Sequence, residues 1–337
     1  MTDIHVGCPL QLSGVEEFQI VGGKGDGMKL YEARNQKGLD FFVLPQRGMD
    51  IGRLSFKGLN CSYLSAAGYV APAYFQEKGK EFLKSFTCGF LTTCGLRQVG
   101  VPCVEEGEEL TLHGTISHIP ASSSYWEQKE DRIEIHGTLR DETLFGDKLV
   151  LERTIVCRLK ENVMEIRDKI LNEGDRETPL MLLYHFNVGY PLLDQETELY
   201  IGSDEVVPRD AVAEKGIKDW HRVEEPQRAY QEQCFYHKMS AVGKAGVFHP
   251  GNRAGFLMRY DAQMLPSFTQ WKMMGIRDYV MGLEPGNCNP EGRKAWKEQG
   301  RLEYLQPGEE RNFWIRLDFF ENYTDWKKAI NERLEER

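Results

Sequence analysis

The 337-residue sequence holds no apolar run long enough to cross a bilayer. Its opening residues, MTDIHVGCPLQLSG, lack the basic stretch and apolar core of a secretion signal. A cytoplasmic protein with no membrane partner is the expectation. There is also no Lys/Arg-rich cluster, and the formal net charge is -10. Neutralising phosphates takes a concentrated basic face, so nucleic acid is not an expected partner. Cysteines stand at 8, 61, 88, 94, 103, 157, 234 and 288, with no C-x-x-C pair. That removes the zinc-ribbon and dithiol spacings and leaves buried free thiols as the default, with Cys88, Cys94 and Cys103 the closest set at irregular gaps. A phosphate-binding glycine loop is missing too. GGKGDG at 22–27 runs into MKLYEARN, which is strand-like and not helical, so it reads as a hairpin turn and nucleotide binding is set aside. No Pro/Ser-rich linker, low-complexity tract, short repeat or βαβ rhythm divides the chain.

What is present is β-texture. With 41% hydrophobic and 28% charged residues the chain can bury a large core and carries no signature of disorder. Short apolar runs such as 28–34, 39–44, 133–139, 148–159 and 163–171 are separated by Gly, Asn, Asp and Pro turns. IEIHGTL, LVLERTIVCRL and VMEIRDKIL alternate apolar and polar residues, as an antiparallel meander with one solvated face does. LMLLYHFNVGYPLL does not alternate, which predicts a strand covered on both sides. Helices are few: 76–86, around KGKEFLKSF, and the C-terminal TDWKKAINERLEER, opened by Thr324 or Asp325 as N-cap. The fold class is all-β and mainly antiparallel, with residues 1–337 read as a single domain.

Several polar residues sit where apolar ones belong, and a buried polar group costs about 1–3 kcal/mol unless it is hydrogen-bonded. His185 interrupts the covered strand, and Asn187, two residues on, projects from the same face. The pair is either a core histidine bonded to a carbonyl or the polar spot of a site. Glu284 ends the apolar strand that begins near Tyr279, before Pro285 and Gly286 turn the chain, and partial desolvation there raises a carboxylate pKa toward that of a useful base. Its structural alternative is a turn glutamate paired with Arg293 or Arg277. In LHGTISHIPA, His113 and His118 surround a glycine. A metal held by His113, His118 and His185 is conceivable, but no HxH or HExxH spacing supports it and a neutral ligand is preferred. Arg47 and Asp50 flank the turn in LPQRGMDIGRL, where an ion pair is the alternative reading, and Arg97 stands in a Gly-bracketed turn. Trp126, Trp271 and Tyr279 offer flat faces for a sugar ring or for the core.

With these stretches in view, the sequence resembles the aldose 1-epimerase (galactose mutarotase) superfamily. His-Gly in a turn, a strand bearing His and Phe-Asn, and a strand ending in Leu-Glu-Pro follow one another in that order. PQRGMDIG, GFLTTCGLRQVG, LHGTISHIPA, YHFNVGYPLLD and QWKMMGIRDYVMGLEPGNCNPEGR together are similar to a bacterial branch of aldose 1-epimerase family proteins, over residues 40–320. The resemblance implies a β-supersandwich, a sugar cleft on one sheet, a small-molecule carbohydrate as partner and no cofactor or metal. It places His185 at the catalytic histidine, Glu284 at the general base and His113 at a substrate-binding histidine. Arg47, Asp50, Arg97, Asn187, Gln270, Asn287 and Arg293 become candidate cleft residues, and Asp210 in VVPRD a candidate hydroxyl acceptor. The classical NGR…NR motif is missing, and Thr115 stands where the branch usually has Arg, so the sugar itself stays open. The implied activity is anomer interconversion, with His185 as acid and Glu284 as base. Alternatives are an isomerase of an uncommon sugar or sugar acid, metal-assisted or not, and a non-catalytic carbohydrate binder. A sugar phosphate clamped by Arg47, Arg97 and Arg293 is a further possibility.

Overall fold

The alternating runs assemble as two antiparallel sheets packed face to face in a computed structural model that describes residues 4–332. The larger sheet has 12 strands. Its main path runs Gly14–Gln19, Lys29–Arg34, Leu39–Leu44, Asp50–Phe56, Leu91–Leu96, Thr178–Gly189, Tyr279–Gly286, Ser267–Met274, Gln233–Met239 and Ser203–Pro208. The smaller has 8 strands: Ser123–Gln128, Arg132–Glu142, Lys148–Arg158, Val163–Asn172, Glu310–Phe320, Ala254–Asp261, Val242–His249 and Glu198–Ile201. The expected meander is here, paired in register from Ile133↔Cys157 and Ile155↔Ile166 outward. Its apolar residues, Ile133, Ile135, Leu151, Ile155 and Ile166, meet Phe41, Ile51, Tyr184 and Phe186 of the larger sheet in one core. GGKGDG is the turn between the antiparallel strands Gly14–Gln19 and Lys29–Arg34.

The central strand Thr178–Gly189 is covered on both faces, as its lack of alternation predicts. Leu180, Leu182, Tyr184, Phe186 and Val188 enter the inter-sheet core. On the outer face Met181 and Leu183 pack with Cys94, Val99, Cys288 and Trp296, the last from the short helix Arg293–Glu298. His185 and Asn187 therefore lie on the outer face, further along the same row.

Two helical expectations are corrected. Within 76–86 there is only the 3-10 turn Glu81–Lys84. Gly79, at φ 52, breaks the run, and Phe82 and Phe86 are drawn into a cluster with Cys88. The C-terminal helix spans Tyr323–Asn331 and is capped earlier than expected, by Asn322 in place of Thr324 or Asp325; the Asn322 Oδ1 accepts from Thr324 N at 2.8 Å. The RLEER end of the expected helix, residues 333–337, lies outside the described residues. All eight cysteines are free, six of them buried. No helix among the described residues is long and apolar enough to cross a membrane.

Candidate functional site

Strand register brings the site together. Leu183 pairs with Gly286 and Phe186 with Leu283, and between these pairs His185 falls directly opposite Glu284. Pro285 has no amide hydrogen to give, so the ladder opens at that point. On its other side Glu284 pairs with Thr269, which pairs with Tyr236, while His185 pairs with Thr92. One row across five strands thus reads Tyr236, Thr269, Glu284, His185, Thr92. The adjacent row reads Cys234, Trp271, Gly282, Asn187. Directly opposed side chains in an antiparallel pair stand roughly 4.5–5.5 Å apart at Cβ, so these neighbours touch. Gly282 is needed in the second row, because a Cβ there would come within 2.3 Å of Glu284 Oε1.

His185 Nε2 lies 3.2 Å from Glu284 Oε1. The two residues are 4% and 2% exposed, so the pair is shut off from bulk water. Three rings close around the imidazole edge-on: Trp271 at 5.3 Å, Phe86 at 5.4 Å and His113 at 5.8 Å between centroids. His113 is presented by a turn in which its own φ is 59 and that of Gly114 is 73. A Cβ on Gly114 would sit 2.3 Å from Gly95 O, so only glycine fits there.

The polar atoms of this region are short of partners. His185 Nδ1, His113 Nδ1, Glu284 Oε1, Asn187 Oδ1 and Thr269 Oγ1 are buried with no hydrogen bond, and the 3.2 Å contact of the pair is out of line for one. Asn187 donates only to the main-chain carbonyl of His185, at 2.8 Å. Burial pushes His185 well below the usual histidine range, reinforced by repulsion from His113. Burial likewise pushes Glu284 well above the usual carboxylate range; the nearby Glu232 adds to this and Arg209 opposes it. His113 is pushed down to about 4, chiefly by burial. Desolvation thus favours the uncharged forms, an imidazole facing a carboxylic acid, with one proton held by the pair. The ion-paired form has the same proton count and differs only in where that proton sits.

The other sequence candidates are placed differently. Arg47 is fully buried and donates to the carbonyls of Val70 and Ser85, at 2.7 and 2.9 Å, with His118 Nε2 3.1 Å away. It fixes the chain immediately before Phe86 and so acts on the ring above His185. Asp50 faces the inter-sheet side, accepting from Thr93 N, Thr93 Oγ1 and Arg153 Nη1, and not Arg47 as an ion pair. Gln270, one residue from Trp271, points to the opposite face, bonded to the Trp220 carbonyl and facing His237. Asn287 bridges the open ladder, accepting from Leu182 N and donating to Leu180 O. Arg97 and Arg293 meet on Glu108, with Asp147 and Glu105 as their further partners. Neither reaches Glu284, and the three arginines form no common phosphate clamp. Asp210 caps the helix Ala211–Gly216 and pairs with Arg209. Thr115 bonds Asp141.

Among the described residues, neither Cys88, Cys94 and Cys103 nor His113, His118 and His185 gather within mutual ligand reach. Glu127, Glu134 and His136 do, but Lys129 and Arg132 already pair with Glu134. Trp126 is bonded to Glu17 and Tyr279 to the Glu224 carbonyl. Cavity volume does not mark the site: a cleft of about 900 Å³ lies on the outer face of the smaller sheet, bordered by Trp314, Arg316 and Lys328. Sequence reasoning missed Phe86, Glu232, Tyr236 and Arg209. Arg209 belongs to VVPRD, where only Asp210 draws notice, and the others stand in no distinctive motif; the tertiary arrangement alone brings Phe86 to His185 and sets Glu232 and Arg209 around Glu284.

This architecture is the galactose mutarotase-like sandwich. The superposition with a protein of Klebsiella pneumoniae, provisionally described as an aldose 1-epimerase, has a TM-score of 0.88 at 24% identity, covering 94% of this chain and 85% of that one. A galactose mutarotase-like protein from Clostridium acetobutylicum follows at 0.65 and 13%, covering 92% and 99%. A galactose 1-epimerase from Lactobacillus acidophilus gives 0.60 and 14%, covering 91% and 98%. In sequence, the chain belongs to the family described as a domain of unknown function, DUF4432, whose model matches residues 25–319. Among curated proteins none matches.

Proposed function

We propose that the protein is an aldose 1-epimerase that interconverts the α and β anomers of a sugar, with His185 and Glu284 as the acid–base pair. The observation that carries this reading is the 3.2 Å contact between two oppositely shifted, buried titratable groups, surrounded by polar atoms that have no partner within the protein. Opening a hemiacetal requires one proton taken from the anomeric hydroxyl and one given to the ring oxygen. A pair that holds a single proton between two sites supplies both steps and recovers its starting state when the ring closes on the other face. Glu284 takes the hydroxyl proton and His185 protonates the ring oxygen; reclosure reverses the roles. Hydroxyls of the sugar would satisfy Asn187 Oδ1, Thr269 Oγ1 and His113 Nδ1 and so fix the ring against the pair.

The fold likeness supports a carbohydrate as substrate, and this chemistry is consistent with that of the galactose 1-epimerase from Lactobacillus acidophilus that shares the fold. We take the whole chain as one mutarotase-like domain, since the larger sheet draws strands from Gly14 through Gly286. Because Trp271, Phe86 and His113 close over the pair, substrate enters by displacing at least one of these rings.

The test is two-dimensional exchange NMR on a panel of free aldoses, deoxy sugars, uronic acids and sugar phosphates, each with and without the protein. Faster exchange between anomeric proton signals for at least one sugar supports the reading. A panel with no acceleration and no new products, in the presence of line broadening that reports binding, would replace it with a binding protein.

A further inference from the structure

Four side chains at the rim of the site, Trp271, Glu232, Arg209 and Cys234, form a closed arrangement for which the acid–base step has no use. Glu232 lies immediately before the strand Gln233–Met239, its side chain 51% exposed. Its Oε2 accepts from Trp271 Nε1 at 2.9 Å, and its Oε1 from Arg209 Nη2 at 3.3 Å. Arg209 also donates to Cys234 Sγ at 2.9 Å and to Asp210 Oδ2 at 3.0 Å, and Cys234 is the cross-strand partner of Trp271. The indole has a single polar atom, so the bond at Nε1 fixes its tilt. That tilt leaves the ring 5.3 Å from His185 at an interplanar angle of 77°.

We propose that Glu232 is a positioning residue: anchored by Arg209, it holds the Trp271 indole beside His185 as the wall against which a sugar ring packs, and it sets the electrostatic surroundings of Glu284 from the rim. The proposal rests on the acid–base reading of the pair. Aromatic faces pack on the apolar side of a sugar only when their plane is fixed, and an exposed carboxylate is a cheap way to fix one, since it needs no buried charge. The groups facing Glu284 can be named from each neighbouring strand. They are His185 on one side, Cys234 on the other, Cys88 and Cys94 from 88–96, and Glu232 with Arg209 at the rim. The thiols are pushed up by burial and stay neutral, which leaves Glu232 and Arg209 as the formal charges that act on Glu284.

Three variants separate anchoring from charge: Glu232→Gln keeps an acceptor for the indole but no charge, Glu232→Ala keeps neither, and Trp271→Phe removes the donor. In the ligand-free protein the readouts are the Trp271 indole N–H resonance and the titration of the Glu284 carboxyl carbon. On any sugar that is turned over, they are KM and kcat. Glu232→Gln is expected to leave the indole resonance and KM nearly unchanged while Glu284 titrates at lower pH. Glu232→Ala is expected to move the indole resonance and raise KM roughly tenfold, with a smaller change in kcat. Adding it to Trp271→Phe should cost nothing more, as for two residues acting through one contact. If Glu232→Ala leaves the indole resonance, the Glu284 titration and KM as they were, the proposal is overturned. If the two spectroscopic readouts move while no sugar is epimerised by the unaltered protein, the positioning role stands and the acid–base reading falls.

Discussion

Tyr184 and His185 are neighbours on one strand, yet they point into two buried ionisable clusters of opposite character. Beneath the strand, between the sheets, Asp168 accepts from Arg153 Nε and Nη2 at 2.9 and 2.6 Å and from Tyr184 Oη at 2.7 Å. Arg153 also reaches Asp50 Oδ1 and Thr93 Oγ1, so that each charge finds a partner and the smaller sheet is tied to the larger. Above the strand, His185, His113, Glu284 and Asn187 keep buried polar atoms with none. Burial is nearly the same in both places. What differs is satisfaction: a completed network specifies structure, whereas an incomplete one stores the free energy that a ligand can release.

The largest expected effect of breaking that contrast falls on the completed side. Arg153→Ala leaves two carboxylates buried and unpaired, and should cost about 3–5 kcal/mol of stability, read from urea unfolding. If it costs under about 1 kcal/mol, the inter-sheet network is not the strut described. On the incomplete side the signs reverse. His185→Ala should lower turnover by roughly 10²-fold while leaving stability unchanged or slightly raised, because an unpartnered polar group is removed. Anomer exchange and unfolding measured on the same preparation check both halves.

Proton inventory sharpens the comparison further. His185 is shifted down, so the pair gains a second proton only at pH below the ordinary histidine value of 6.5. Glu284 is shifted up, so the last proton leaves only at pH above the ordinary 4.5. Between these steps the pair holds one proton, and kcat/KM should form a bell with its acid limb below 6.5 and its alkaline limb above 4.5, the two limbs belonging to the pair as a whole. A single sigmoid centred near 6.5 would mean that His185 titrates alone. A smaller effect is expected from Gly282→Ala. The added Cβ, 2.3 Å from Glu284 Oε1, should displace the carboxylate and slow exchange by about tenfold, with little change in the unfolding midpoint.

The sequence announces the outer half of this picture and hides the inner half. The missing alternation of LMLLYHFNVGYPLL shows that His185 is buried, and Glu284 stands out as a carboxylate closing an apolar run, so both members of the pair are legible, although the strand continues through Pro285 to Gly286 instead of turning there. Their opposition is not, because it depends on a register set by Leu183↔Gly286 and Phe186↔Leu283, between strands far apart in the chain. For the same reason Arg47, Asp50, Gln270 and Asn287, all adjacent to recognisable motifs, turn out to serve carbonyls and the inter-sheet side. A one-residue step along a strand reverses the face, as Gln270 and Trp271 demonstrate. Arg153 gives no signal at all, since a charged residue in an alternating strand reads as solvent-facing until the opposing sheet is placed against it. The expected helix at 76–86 fails because Phe82 and Phe86 find better burial over His113 and His185 than a helical face would offer them.

The most direct measurement is the rate of anomer exchange for the best sugar of the panel with Glu284→Gln, at neutral pH and equal protein concentration. The substitution keeps shape and burial but removes the proton-accepting oxygen, so exchange should fall by 10²-fold or more, of order 3 kcal/mol in the barrier, while the protein remains folded. Exchange at the rate of the unaltered protein would contradict the assignment of Glu284, and with it the account of why this cluster is left without partners.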